Sequence, residues 1–443
     1  MKLSFHGGAR EVTGACYLLE TAQTKILIDC GLFQGCDECA DLNFEKFKFE
    51  PRKIDLLVVT HAHLDHVGRI PKLVQEGFSG KIYSTAPTQE LARLILEDAF
   101  HLMRRDSKKM YDEEDLEKTF RLWEDVPYHK ILETGDIKFR LNNAGHILGS
   151  SLVELWAENK HWLFSGDLGN LPSALLPPPE TFKNIEYLVL ESTYGNRTHE
   201  DPGERVLMLE RAVEDVTARH GMLMIPAFAT ERTQDILFLL NEMLLFKRIP
   251  EIPVFVDAPL AIRVTSVFEK YTDHYKEEIR ELFRQHPNLF KFKKLKFTES
   301  VEESKKINDV PPPKVVIAGS GMMNGGRILH HARRYLPDPK SILLIIGYQA
   351  AGSLGRRLID GEKTVKLFGE EISVAAEIRK INGFSAHADN PQLFDFVDRN
   401  RDALKRVFVV QGEEPQALHF MQEIKDRLGV QADAPTLYQE FEI

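Results

Sequence analysis

Four side chains that can bind a metal fall within six residues: His61, His63, Asp65 and His66, in the run THAHLDHVG. The apolar segment IDLLVV before it reads as a buried strand, and PKLVQEGF after it reads as the core of a short helix. The cluster is therefore expected at a strand end. Side chains two apart on an extended segment share a face, so His61 and His63 are placed to grip one ion while Asp65 and His66, on the turning backbone, reach another. Imidazole and carboxylate suit zinc, and two ions about 3.5–4 Å apart activate a shared water as a nucleophile. This is the chemistry of a metallohydrolase; the competing reading is a polar loop of solvated histidines.

The run resembles the metallo-beta-lactamase signature of histidine, any residue, histidine, any residue, aspartate, histidine, and matches it at each position. The segments ILIDCGLFQG, NNAGHILGSS, FSGDLGN, ESTYGNR, PAFATERTQ and GFSAHAD follow in the order of the beta-CASP ribonucleases, relatives of the nuclease subunit of the pre-mRNA cleavage machinery. The likeness runs to the final APTLYQEFEI. It implies an α/β fold: a metallo-beta-lactamase αββα sandwich formed by residues 1–194 and 383–443, with an α/β beta-CASP cap inserted at 195–382.

The resemblance also implies two zinc ions. By position, the first is held by His61, His63 and His146 and the second by Asp65 and His66, with Asp167 bridging both. Asp29, at the end of KILID, is expected to accept the outer N–H of a ligating imidazole. Glu191 is expected to orient His387, the proton donor to the departing oxygen. The family closes its second site with a histidine where this chain reads VVQGEE, so the position is Gln411. An amide is a weaker, neutral donor, and a second ion should bind less tightly there. His419, two helical turns on and about 12 Å away, is not expected to replace it.

At 443 residues the chain is long enough for two cores, and its mixture of short β-rich runs and amphipathic helices argues for α/β layers. No apolar run reaches the roughly 18–20 residues of a bilayer span, and MKLSFHGGAREVTG does not resemble an export signal. A cytoplasmic enzyme with no membrane association and no appended RNA-binding module is expected. Cys16, Cys30, Cys36 and Cys39 are too few and too local for a disulfide scaffold, so reduced thiols are expected, with Cys36 and Cys39 only superficially spaced as a zinc or redox pair.

A net charge of −10 does not advertise a nucleic-acid protein, so local positive charge must contact phosphate. The lysines at 291, 293, 294 and 296 read as a solvated face. The doublets Arg333–Arg334 and Arg356–Arg357 adjoin glycine-rich turns, and Arg356 and Arg357 are taken as phosphate candidates with Ser320 and Gly321 of KVVIAGSGMMNGGRILHHARRYL. That loop has Asn324 where a dinucleotide motif needs glycine and lacks the ending of a phosphate-binding NTPase loop, so no nucleotide cofactor is expected. His330 and His331 read as helix surface or cleft wall.

These readings converge on hydrolysis of phosphodiester bonds in single-stranded RNA, and family behaviour implies 5'-phosphate and 3'-hydroxyl ends. The family's habit adds a homodimer to the expectations. Two alternatives stand beside it: a catalytically impaired RNA-binding or assembly subunit, because of Gln411, and a small-molecule thioester or lactam hydrolase.

Overall fold

The computed structural model describes residues 1–35, 37–104, 109–347, 349 and 352–443. These divide into two compact units, Met1–Thr198 with His387–Ile443, and His199–Ala386.

The first unit is built on two seven-stranded sheets. One runs in the order Glu440–Glu442, Lys2–Phe5, Tyr17–Glu20, Lys25–Ile28, Leu56–Val58, Lys81–Ser84, Trp123–Asp125. The other runs Ala432–Asp433, Arg406–Val410, Tyr187–Glu191, Lys160–Phe164, Ser151–Ala157, Ile137–Asn143, Leu132–Thr134. Successive side chains of a strand face opposite ways, and the sequence sorts them accordingly. Ile26 and Ile28, Leu56 and Val58 meet Phe139, Leu141, Val153, Leu155 and Val189 in a core between the sheets. Leu188 and Leu190, flanking Val189, turn instead to the helices Asn390–Asp398 and Glu414–Leu428, where Leu393, Phe396, Ala417, Phe420 and Ile424 close a second core.

Helix ends are written locally. Ala86–Met103 starts at Thr85, whose hydroxyl accepts the Thr88 N–H, with Pro87 in the first turn. Glu113–Leu122 opens on a reciprocal pair of bonds between Asp112 and Asp115. The charged stretch DEEDLEKTFRLWEDV is helical only in its first part: Trp123–Asp125 leaves the helix and pairs in parallel with Lys81–Ser84. Trp123 buries its ring and donates its indole N–H to Ser84 Oγ at 2.8 Å, a tertiary gain that overrides helical continuation.

The second unit centres on a six-stranded parallel sheet in the order Leu295–Phe297, Val254–Asp257, Lys314–Ala318, Met222–Pro226, Ile342–Ile345, Glu377–Lys380. Its central strands, KVVIA, MLMIP and ILLI, are apolar almost without alternation because both faces are covered.

Cys16 and Cys30 are buried free thiols, but Cys39 is disulfide-bonded, which corrects the expectation of reduced thiols there; Cys36 lies outside the described residues. Among the described residues no helix is long and apolar enough to cross a membrane.

Candidate metal centre

The histidine run leaves strand Leu56–Val58 and enters the single helical turn Leu64–Val67. His63 precedes that turn in extended conformation, so the chain reverses between the first two histidines and the last. The reversal is held by close backbone approach. A Cβ on Gly31 would lie 1.4 Å from the Asp65 carbonyl oxygen, and only glycine leaves room. His146 and Asp167 arrive from strand-end turns of the second sheet, after Ile137–Asn143 and Lys160–Phe164.

The donor atoms converge. His61 Nε2 lies 3.1 Å from His63 Nδ1 and 3.3 Å from Asp167 Oδ2. His146 Nε2 lies 3.2 Å from His63 Nδ1 and 3.3 Å from the same carboxylate oxygen. Zinc bound at 2.0–2.1 Å in a tetrahedron separates neighbouring donors by roughly 3.3 Å. Four of the donor separations match that spacing and all four atoms lie within 4.8 Å of one another, so the groups can converge on one ion. Burial holds His63 and His146 well below the ordinary imidazole range, leaving neutral rings with a lone pair to offer. Burial opposes ionisation of Asp167, yet the surrounding His66, His61 and His387 outweigh it and keep the carboxylate charged.

The other Asp167 oxygen, Oδ1, faces His66 Nε2 at 3.3 Å, and Asp65 Oδ2 is 4.0 Å from the same nitrogen. Behind His66, Nδ1 donates to Asp29 Oδ2 at 2.7 Å. Asp29 is itself pinned by the Thr60 backbone N–H and hydroxyl, both at 2.7 Å. Thr60 escaped the sequence reading; its only signal is its place one residue before His61.

Gln411 reaches this second position from the end of strand Arg406–Val410 and is 1% exposed. Its Nε2 lies 2.7 Å from Asp167 Oδ1 and 2.8 Å from His66 Nε2. The opposite amide orientation would set Oε1 2.7 Å from the Asp167 carboxylate, oxygen against oxygen. Two influences on His66 conflict. Burial disfavours its charged form, but Asp167 and Asp29 push its pKa well up. A charged ring, however, would point an N–H at the amide N–H groups across 2.8 Å, so the contact favours the neutral ring with a bare Nε2. The second position fits an ion only in part, because two of its donor atoms already accept from Gln411.

His387 stands on the far side of Asp167. Its Nδ1 is 3.0 and 3.1 Å from the two Glu191 oxygens and 3.8 Å from Asp167 Oδ2. Glu191 Oε1 also accepts the Leu168 N–H at 2.6 Å, which fixes the carboxylate from a second direction. Burial opposes charge on His387, but Glu191 and Asp167 prevail and raise its pKa to about 9.

Ser320, Gly321, Arg356 and Arg357 lie in the second unit. Ser320 gives its N–H to Gly325 O, while Arg356 pairs with Asp360 at 2.9 Å and Arg357 with Glu362 at 2.6 Å. His331 donates to the buried Asp257 at 2.7 Å, whereas the His330 ring stacks on Phe368.

Two facing sheets with a histidine and aspartate cluster at their strand ends define a metallohydrolase of the metallo-beta-lactamase type. Profiles of three families match: Metallo-beta-lactamase superfamily over residues 9–215, Beta-Casp domain over 233–358, and Zn-dependent metallo-hydrolase RNA specificity domain over 371–435. The chain belongs to the beta-CASP ribonucleases of the metallo-beta-lactamase superfamily. It is 38% identical to a ribonuclease of Thermus thermophilus over 94% of both chains. An RNase J-like protein of Methanocaldococcus jannaschii is 32% identical over 98% of this chain and 97% of its own. The transcription termination factor FttA of Methanosarcina mazei is 32% identical over 97% of this chain and 70% of its own. A crystal structure of an Enterococcus faecalis protein of unknown function shares the fold, with a TM-score of 0.58, 12% identity and coverage of 100% and 99% of the two chains.

Proposed function

We propose that this protein is a zinc-dependent ribonuclease that hydrolyses phosphodiester bonds of single-stranded RNA and leaves 5'-phosphate and 3'-hydroxyl ends. The observation that carries the reading is the convergence of ligand atoms from His61, His63, His146 and Asp167 within 4.8 Å of one another. One ion belongs to that set. A second belongs with Asp65, His66 and the other oxygen of Asp167, and is held less tightly. Bound zinc supplies a nucleophile from water at neutral pH and neutralises phosphate charge.

The remaining work falls to side chains. Asp29 fixes the His66 ring, and Glu191 fixes the His387 ring. His387, with its raised pKa, carries a proton at neutral pH and gives it to the departing sugar oxygen. His61, His146 and Asp167 are buried and His63 half-buried, so a phosphate must come to a recessed set of donors. An unpaired strand can splay a phosphate inward, whereas a stacked duplex holds it on a stiff helix. The inserted segment 195–382 is assigned as the cap that shapes access for the strand. A homodimer and a cytoplasmic site of action come with the family resemblance alone, and sedimentation velocity checks the first.

The test is cleavage of a 5'-labelled unpaired RNA by the full chain, beside the same RNA in a duplex, with zinc measured on the same preparation. Unpaired RNA should be cut, the products should ligate only through a 5'-phosphate, and Asp167→Ala should lose at least about a thousandfold in rate. Zinc at the complete site with RNA binding but no cleavage would instead identify an RNA-binding subunit, the reading that Gln411 favours. Turnover of thioesters or lactams without RNA cleavage would sink both.

A further inference from the structure

Gln411 is seated too firmly to be a casual replacement. Its backbone is left-handed, with φ 48°, a conformation that costs a non-glycine residue free energy. Its N–H donates to Gly8 O at 2.7 Å and its carbonyl accepts from Thr193 Oγ1 at 2.9 Å. One strand residue earlier, Val410 O accepts from Ser192 Oγ at 2.9 Å. The side chain therefore leaves a fixed point and delivers its NH2 group between His66 Nε2 and Asp167 Oδ1.

Those two atoms are both lone-pair donors to any cation placed there. An NH2 group offers them two hydrogens, as a cation would offer positive charge, and it cannot itself ligate a metal. Its oxygen can, but Oε1 points elsewhere and has no hydrogen-bond partner among the described residues.

We propose that Gln411 is a built-in competitor for the second metal ion: its amide holds His66 and Asp167 together, and the second ion binds only by displacing it. This rests on the zinc reading above and deepens it. The two ions then load in separate steps, since the first site shares no donor atom with Gln411 and the second shares two. Asp167 couples the steps, because Oδ2 serves the first site and Oδ1 is released to the second only when the amide withdraws. The enzyme carries one ion permanently and takes the other according to supply. The expected separation is about 10- to 100-fold in affinity, the order carried by one hydrogen bond to a charged group.

The experiment is zinc titration of the metal-stripped full chain against a chromophoric chelator, with bound zinc counted by elemental analysis. Wild type should show one tight step and a second at least about 10-fold weaker. Gln411→Ala removes the competitor without adding a ligand, so its second step should strengthen while the first is unchanged. Gln411→His should give two tight steps. A weaker second step in Gln411→Ala would show that the amide is a ligand and overturn the proposal, as would two equal tight steps in wild type. Gln411→Gly, which suits the left-handed backbone, repeats the measurement if the alanine variant does not fold. Wild type that binds no zinc would bring down the metal reading itself, a result distinct from two equal steps.

Discussion

His387 depends on its neighbours for its charge. An imidazole with an ordinary pKa near 6.5 is mostly neutral at pH 7.5, and it is the carboxylates of Glu191 and Asp167 that raise His387 to about 9. His387→Ala is therefore expected to lower kcat by about 10²- to 10⁴-fold with zinc content unchanged, because the ring binds no ion in the proposed scheme. Single-turnover cleavage with metal analysis checks this; a loss of zinc in the variant would make the residue a ligand instead. Residues of this kind were readable to the extent that their chemistry is rare. A run of three histidines and an aspartate over six positions has few other uses, and it pointed at once to the atoms that converge. Thr60 and the Leu168 N–H were not readable, since hydroxyls flank histidines everywhere and a backbone donor has no letter of its own. The arginines at 356 and 357 pair with Asp360 and Glu362, four and five residues on.

The centre lies at strand ends, and its geometry is set by how tightly those ends approach. Gly31 follows strand Lys25–Ile28 and meets the turn that carries Asp65. Gly31→Ala should cost about 2–3 kcal/mol of stability, as overpacking at a rigid contact does, and should also reduce zinc content by displacing Asp65 and His66. Thermal unfolding and metal analysis of the same variant measure both; an unchanged melting temperature would show that the turn can yield. Strand identity was legible from apolar runs such as IDLLVV. Trp123–Asp125 was not, because local propensity carried the helix onward and the deciding bond, from Trp123 to Ser84, spans 39 residues. Which strand ends would meet was legible only through the family resemblance, as spacing along a chain does not say which turns face each other.

Over the whole molecule, stability depends on pH through buried groups outside the proposed ligand set as well. His6 is pushed down to about 4 by burial, aided by the positive charge of Arg69. Unfolded, it titrates near 6.5. Between those values the unfolded chain binds the extra proton, so the contribution is complete above about pH 6.5 and is lost as pH falls to about 4. Urea midpoints of wild type and His6→Gln should diverge across that window; a constant difference from pH 7 to 4 would contradict it. The order of parts along the chain has a consequence in time. The proposed ligands His61, His63, Asp65, His66, His146 and Asp167 are complete by position 167, and His387 comes 387 − 167 = 220 residues later. At 5–20 residues per second a ribosome takes roughly 10–45 s to cover that distance. Until then the growing chain also lacks strand Arg406–Val410, the partner of Tyr187–Glu191, and the segment that bridges His387 to Gly169. A nuclease assembled in this order would hold its proposed metal ligands before its proposed proton donor, and could not cut until that donor had been made.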